Sequence, residues 1–91
     1  MIESGDYIFE PMLVSIFREV QEEWKRSTAK YGHGTSFHDR MDVISEEYDE
    51  VKAEIRKKPE NRDMDAIMAE SVQLMNVAMT MYLYALNNKS N

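Results

Sequence analysis

Three stretches of helical periodicity, separated by two breaks, organise this chain. Between Pro11 and Ala29, the apolar residues Leu13, Ile16, Phe17, Val20 and Trp24 recur at the spacing of one helical face. Arg18, Glu19, Glu22, Glu23 and Lys25 fall elsewhere on the same wheel. Pro11 suits the first turn of this helix, where a missing N–H has no partner to lose. Gly32 and Gly34 end it and leave a loop, Tyr31-Gly32-His33-Gly34-Thr35-Ser36. Ser36 followed three residues later by Asp39 resembles a capping box, so a second helix is predicted from near Phe37. Its apolar stripe is Met41, Ile44, Tyr48, Val51 and Ile55; Arg56, Lys57 and Lys58 suit the negative end of the helix dipole, and Pro59 stops it after about Lys58. A third helix is predicted from around Asn61, or shortly before, to about Leu86, with Asn87 and Asn88 as terminators.

No stretch alternates with the period of a strand, and there is no repeat or low-complexity tract. The expected fold class is all-α: three main helices in one domain over 1–91, with an arm at 1–10 and a tail at 87–91. A chain of 91 residues has room for one core and not for two. The third helix bears on assembly. Ile67, Met68, Leu74, Met75, Ala78, Met79, Met81, Tyr82 and Leu86 cover more than half its circumference, more than two short partner helices can bury. A homo-oligomer is therefore expected, a homodimer or a homotetramer, with this helix central to a bundle that the assembly completes. Its methionines read as adaptable packing.

Composition narrows the partners. Eleven basic residues stand against seventeen acidic ones, a net charge of −6, which argues against nucleic acid, whose backbone needs clustered Lys and Arg. No membrane partner is expected either. The stretch from Ala66 to Asn88 is the one candidate span, and Glu70, Ser71, Gln73, Asn76 and Thr80 interrupt it. The first residues, Met1-Ile2-Glu3-Ser4-Gly5-Asp6, lack the basic start of a signal peptide, and the absence of cysteine fits a reducing compartment, so a cytoplasmic location is expected.

The informative chemistry lies on the second helix. Glu46, Glu47, Glu50 and Glu54 fall within an arc of about 100° on a helical wheel, with no basic residue inside the arc to offset them. Like charges at that spacing are tolerable when hydrated and favourable when a divalent cation binds them; most such runs are simply solvated faces. Two details favour the cation. Glu47 lies beside Val51 at the edge of the apolar stripe, and Glu70 is the sole charge in the Ala66–Asn88 stretch. A lone acid bordering a core is costly unless paired, protonated or metal-bound. If the second and third helices pack antiparallel through a short turn at Pro59, Glu70 faces Glu47 and Glu50, as in carboxylate-metal helical bundles.

Glu46-Glu47-Tyr48-Asp49-Glu50, followed after nineteen residues by Glu70-Ser71-Val72-Gln73, resembles the motif of the MazG-like all-α nucleoside triphosphate pyrophosphohydrolases. Their signature is E-E-x-x-E, a variable gap, then E-x-x-D, on two antiparallel helices. The resemblance spans roughly Lys30 to Leu86, and short phage and prophage members are of similar size. It implies a hydrolase that cleaves a (deoxy)nucleoside triphosphate to monophosphate and pyrophosphate. It also implies Mg²⁺, with Mn²⁺ as a possible substitute, held by Glu47, Glu50 and Glu70, and Glu46 or Glu47 as the base that takes the proton of the attacking water. One departure stands out: Gln73 occupies the place of the final acid. That change can weaken a second metal, shift substrate choice, or mark a member that keeps the fold as a nucleotide- or protein-binding module without activity.

Other candidates carry weaker signals. Gln73 and Asn76 lie one turn apart and can position water or a phosphate. Lys25, Arg26, Lys30 and Arg40 flank the first loop and can contact phosphates, although surface solubility explains each as well; Lys30 and Arg40 are the substrate-binding candidates. His33 and His38 lack a third nitrogen ligand and read as loop polarity. Trp24 reads as packing, and Gly32 and Gly34 are not a P-loop, since no G-K-[S/T] follows.

Overall fold

The computed structural model describes the backbone of residues 3–31 and 36–89, and the side chains of 10–28 and 36–89. His33, Gly32, Gly34 and the side chains of Lys30 and Tyr31 lie outside the described residues. The described chain is all-helical: α1 (Glu3–Tyr31), α2 (Phe37–Ile55), a short 3₁₀ turn (Pro59–Asn61) and α3 (Met64–Lys89). Helix α3 packs against both α1 and α2.

The sequence placed the start of α1 at Pro11, and the structure corrects this. The helix begins at Glu3 and carries Pro11 in its interior. Proline fixes a φ that a helix accepts, and inside one it removes a hydrogen bond, so the residue type alone does not say on which side the helix continues. The start of α2 falls where the capping signal put it. Ser36 Oγ accepts from the Asp39 N–H at 3.0 Å, with Ser36 itself extended (φ −155°, ψ 163°). Its end comes three residues earlier than expected, at Ile55, where Arg62 Nε donates to the Ile55 carbonyl at 2.9 Å. That side chain satisfies a carbonyl that the helix leaves open.

Helix α3 starts later than expected because Asp63 caps it. Asp63 Oδ1 accepts from the N–H groups of Asp65 at 3.0 Å and Ala66 at 3.2 Å. Its own N–H donates to Glu54 Oε1 at 3.0 Å, and Lys57 Nζ holds Glu54 Oε2 at 2.9 Å. The last turn of α2 is thereby tied to the first turn of α3, which fixes the offset between the two helices. An Asp63→Ala variant is expected to lose about 1 kcal/mol of stability, as N-cap removals do, read by urea unfolding; an unchanged midpoint would show the cap to be idle.

Packing among the described side chains is thin. Val20 is the apolar residue that is fully buried, at 5% exposure. Leu13, Ile16, Ile44 and Val51 are half-buried as their stripes require. Phe17, Met41, Tyr48 and Ile55 sit on the same predicted stripes and are exposed, which corrects their assignment to this chain's own core. Tyr48 instead lies beneath Lys52 Nζ, 4.9 Å from the ring centre. The accessible surface is 7181 Å² against roughly 5,500 Å² for a folded monomer of this mass. The radius of gyration is 15.4 Å against about 12 Å for a compact chain of this length. On α3, Met64, Met68, Met75, Tyr82 and Leu86 are exposed along one side. No described helix is long and apolar enough to cross a membrane.

Candidate metal centre

Helix periodicity puts Glu47 and Glu50 on adjacent turns of one side of α2, and the tie at Glu54 and Asp63 sets Glu70 opposite them. Glu47, Glu50 and Glu70 each place one carboxylate oxygen so that all three lie within 4.8 Å of one another. At that separation two unit charges repel by roughly 1 kcal/mol in bulk water and roughly 3.5 kcal/mol at an effective dielectric of 20. Burial sharpens the problem. Glu47 Oε2 and Glu70 Oε2 are both shielded from solvent, and neither has a hydrogen-bond partner.

The electrostatics follow from that geometry. Loss of solvent raises the pKa of the Glu47 carboxyl above the usual carboxylate value, and the charges of Glu50, Glu70, Glu46 and Glu23 push it further in the same direction. Glu70 is raised first by desolvation and then by the negative charges of Glu50 and Glu54. Two acids near the cluster behave oppositely. Glu54 is lowered by Lys57 and the Asp63 N–H. Glu23 is lowered by its hydrogen bond to Arg26, against a smaller effect of burial, and the Gln73 amide adds to the lowering.

The structure therefore brings together Glu47, Glu50 and Glu70 and leaves two members of the predicted arc outside. Glu46 is exposed and reaches the cluster only through its field at Glu47. Glu54 is taken up by Lys57 and the start of α3, so the arc does acquire a basic partner at that end. Beside the trio lies a cavity of about 370 Å³ between the three helices. Arg40, Gln73 and Asn76, all singled out from the sequence, line it together with Glu47. So does Arg26, one of the basic residues that flank the first loop, and so do Glu23, Ser27 and Thr80, which carry no site signal in the sequence. Glu23 and Ser27 are four residues apart on α1, a helical-face spacing that flags a shared surface without saying what it meets.

A larger, shallower groove of about 750 Å³ runs between α1 and α3, past Glu19, Glu22, Lys25 and Ala69. Along it Lys25 pairs with Glu22 at 3.7 Å and Arg26 with Glu23. Trp24 is half-buried and borders a third hollow with Arg40 and Tyr84. His38 is exposed at the start of α2, away from the three carboxylates.

No known protein family, no curated protein and no solved structure matches this chain. The meaning of the site rests on its own chemistry.

Proposed function

We propose that this protein is a divalent-metal-dependent nucleoside triphosphate pyrophosphohydrolase of the MazG-like kind, with Mg²⁺ held by Glu47, Glu50 and Glu70. The observation that carries the reading is the orphaned pair of oxygens, Glu47 Oε2 and Glu70 Oε2, buried within a three-carboxylate cluster. Hard oxygen donors of that kind and number fit Mg²⁺ or Mn²⁺, which bind through a few carboxylates and complete their shell with water and phosphate. When bound, the ion would polarise phosphoryl oxygens and lower the pKa of an attached water. The chain's own residues supply the rest. Glu46, exposed beside the cluster, is free to accept a proton from water. Glu47 is the alternative base, its carboxyl raised above the usual carboxylate value by burial in the metal-free chain. Arg40, with two buried N–H groups facing the neighbouring cavity, provides positive charge beside the acids.

Helices α2 and α3 are inferred to run antiparallel. Phe37, at the first residue of α2, meets Tyr84 near the end of α3 with ring centres 4.7 Å apart. Glu54, near the end of α2, binds the N–H that precedes α3. We further infer a homo-oligomer, supported by the exposed side of α3. Met64, Met68, Ser71, Met75, Ala78, Tyr82 and Ala85 follow one another at alternating steps of four and three residues, the spacing of a helix–helix seam. All but Ser71 are exposed.

Pyrophosphate release from a panel of deoxynucleoside and ribonucleoside triphosphates with Mg²⁺ tests the activity. Turnover is expected, falling at least about a hundredfold in Glu47→Gln, as when a metal ligand or its support is removed. A chain that binds neither Mg²⁺ nor nucleotide would overturn the reading.

One observation favours a second reading, a silent binding module. Gln73, where the motif has an acid, sits beside Glu23 and helps hold that carboxyl ionised. Metal and nucleotide binding without turnover, with activity gained on Gln73→Asp, would select it.

A further inference from the structure

Asn76 is the most buried polar residue described, at 3% exposure, and its amide is oriented by a chain of hydrogen bonds. Ser27 Oγ donates to the Trp24 carbonyl at 3.3 Å. A hydroxyl has one hydrogen to give, so toward Asn76 it can only accept, and Asn76 Nδ2 donates to it at 3.3 Å. That contact settles which end of the amide points where. Asn76 Oδ1 is left buried with no partner. Thr80 cannot serve it, because its hydroxyl donates to the Asn76 main-chain carbonyl at 2.9 Å. Native buried acceptors are seldom left bare, so Oδ1 marks a place for an incoming donor.

On the same cavity, Arg40 brings Nε and Nη2, also buried and also without partners. These two N–H groups form one edge of the guanidinium fork. The cavity thus pairs a bare acceptor with a two-pronged donor, in about 370 Å³, the lower end of the range for small-ligand pockets.

We propose that this cavity binds the edge of an uncharged cyclic amide, a ring N–H adjacent to a C=O. The ring N–H donates to Asn76 Oδ1, and the carbonyl oxygen accepts from Arg40 Nε and Nη2. Uracil, thymine and guanine carry that edge. Adenine places a ring nitrogen beside its amino group, and the single lone pair of that nitrogen uses only half of the Arg40 edge. A phosphoanhydride suits the pair worse still, since its oxygens hold no hydrogen at neutral pH for Asn76 Oδ1. Only the attribution of the ring to a nucleotide rests on the hydrolase reading. The recognition itself needs neither the metal nor the carboxylate trio.

The experiment titrates the full chain, followed through the Asn76 side-chain amide and Arg40 Nε–H resonances by NMR. The probes are 2′-deoxyuridine, its N3-methyl derivative, 2′-deoxyadenosine and inorganic pyrophosphate. Deoxyuridine is expected to move both resonances. N3-methylation, which removes the donor and leaves an acceptor unpaired, should weaken binding at least about tenfold, and deoxyadenosine should bind more weakly than deoxyuridine. Ser27→Ala, which frees the Asn76 amide to turn, and Arg40→Gln should each weaken it by about the same factor. Affinity should be equal with chelator and with Mg²⁺, so absent turnover alongside intact nucleoside binding would count against the hydrolase alone. Equal binding of the methylated nucleoside, displacement of deoxyuridine from these resonances by pyrophosphate, or no nucleoside binding at all would overturn the proposal.

Discussion

Replacing Glu70 by Gln is expected to raise the melting temperature of the metal-free protein at neutral pH and to erase its response to Mg²⁺. The two effects have one cause. In the metal-free chain, Glu47, Glu50 and Glu70 crowd three acidic groups into a space under 5 Å wide. The folded-state pKa of Glu47 and of Glu70 lies above its ordinary value. A group whose pKa rises on folding stabilises the fold while it is protonated. That contribution is complete below the ordinary carboxylate pKa and is lost as pH climbs through the raised folded value. The trio therefore destabilises the metal-free protein toward neutral pH. Glu23 and Glu54, whose carboxyls are lowered, act with opposite sign: they stabilise above the ordinary pKa and cease to as pH falls through their folded values. Glutamine keeps the shape of Glu70, removes its charge and can donate to Glu50.

The magnitude on the metal side is set by linkage. An ion at a hundred times its dissociation constant adds about 2.7 kcal/mol to the native state. In a domain of this size that is about 10 °C or more in melting temperature. Thermal scans between mildly acidic and neutral pH, with chelator and with Mg²⁺, read both arms. A Glu70→Gln protein that still gains stability from Mg²⁺, or one less stable than wild type when metal-free, would refute the proposed centre.

Tyr82→Glu is expected to dissociate the protein and, with it, to unfold most of the chain. Tyr82 is 68% exposed, toward the C-terminal end of the exposed seam of α3, and tolerates a charge easily if that side meets water. The surface area speaks against water. The chain exposes roughly 1,700 Å² more than a compact monomer of its mass. Two chains that buried this excess against each other would cover roughly 3,400 Å², within the range of obligate homodimers. Val20 is the fully buried apolar side chain among those described, which leaves a lone chain a small core. The proposed assembly couples folding to association, so wild-type melting temperature should rise with protein concentration. Sedimentation velocity and circular dichroism on wild type and Tyr82→Glu decide it. A monomeric wild type at micromolar concentration, with a melting temperature indifferent to dilution, would refute the assembly.

Local signals were legible where the chemistry is local. Ser36 announced the start of α2 because a cap needs only a side-chain oxygen and an N–H three residues on. Asp63 caps α3 in the same way, but the run Pro59-Glu60-Asn61-Arg62-Asp63 offers two capping residues, and what each one meets decides between them. The exposed Phe17 and Tyr48 show the limit of periodicity: it defines a face and does not say which chain covers it.

The amino-acid order alone determined that the chain is helical, where its breaks lie, and that Glu47 and Glu50 share one side of α2, since these follow from a repeat of 3.6 residues. It also marked Glu70 as a charge out of place in an apolar stretch. Only the tertiary structure decided which acids meet. The bonds from Glu54 to Asp63 and from Arg62 to Ile55 set the offset of the two helices, bringing Glu70 to Glu47 and Glu50 and drawing Glu54 away. Helix α1 then delivered Ser27 to Asn76 across forty-nine positions of sequence, a meeting that no spacing along one helix can encode.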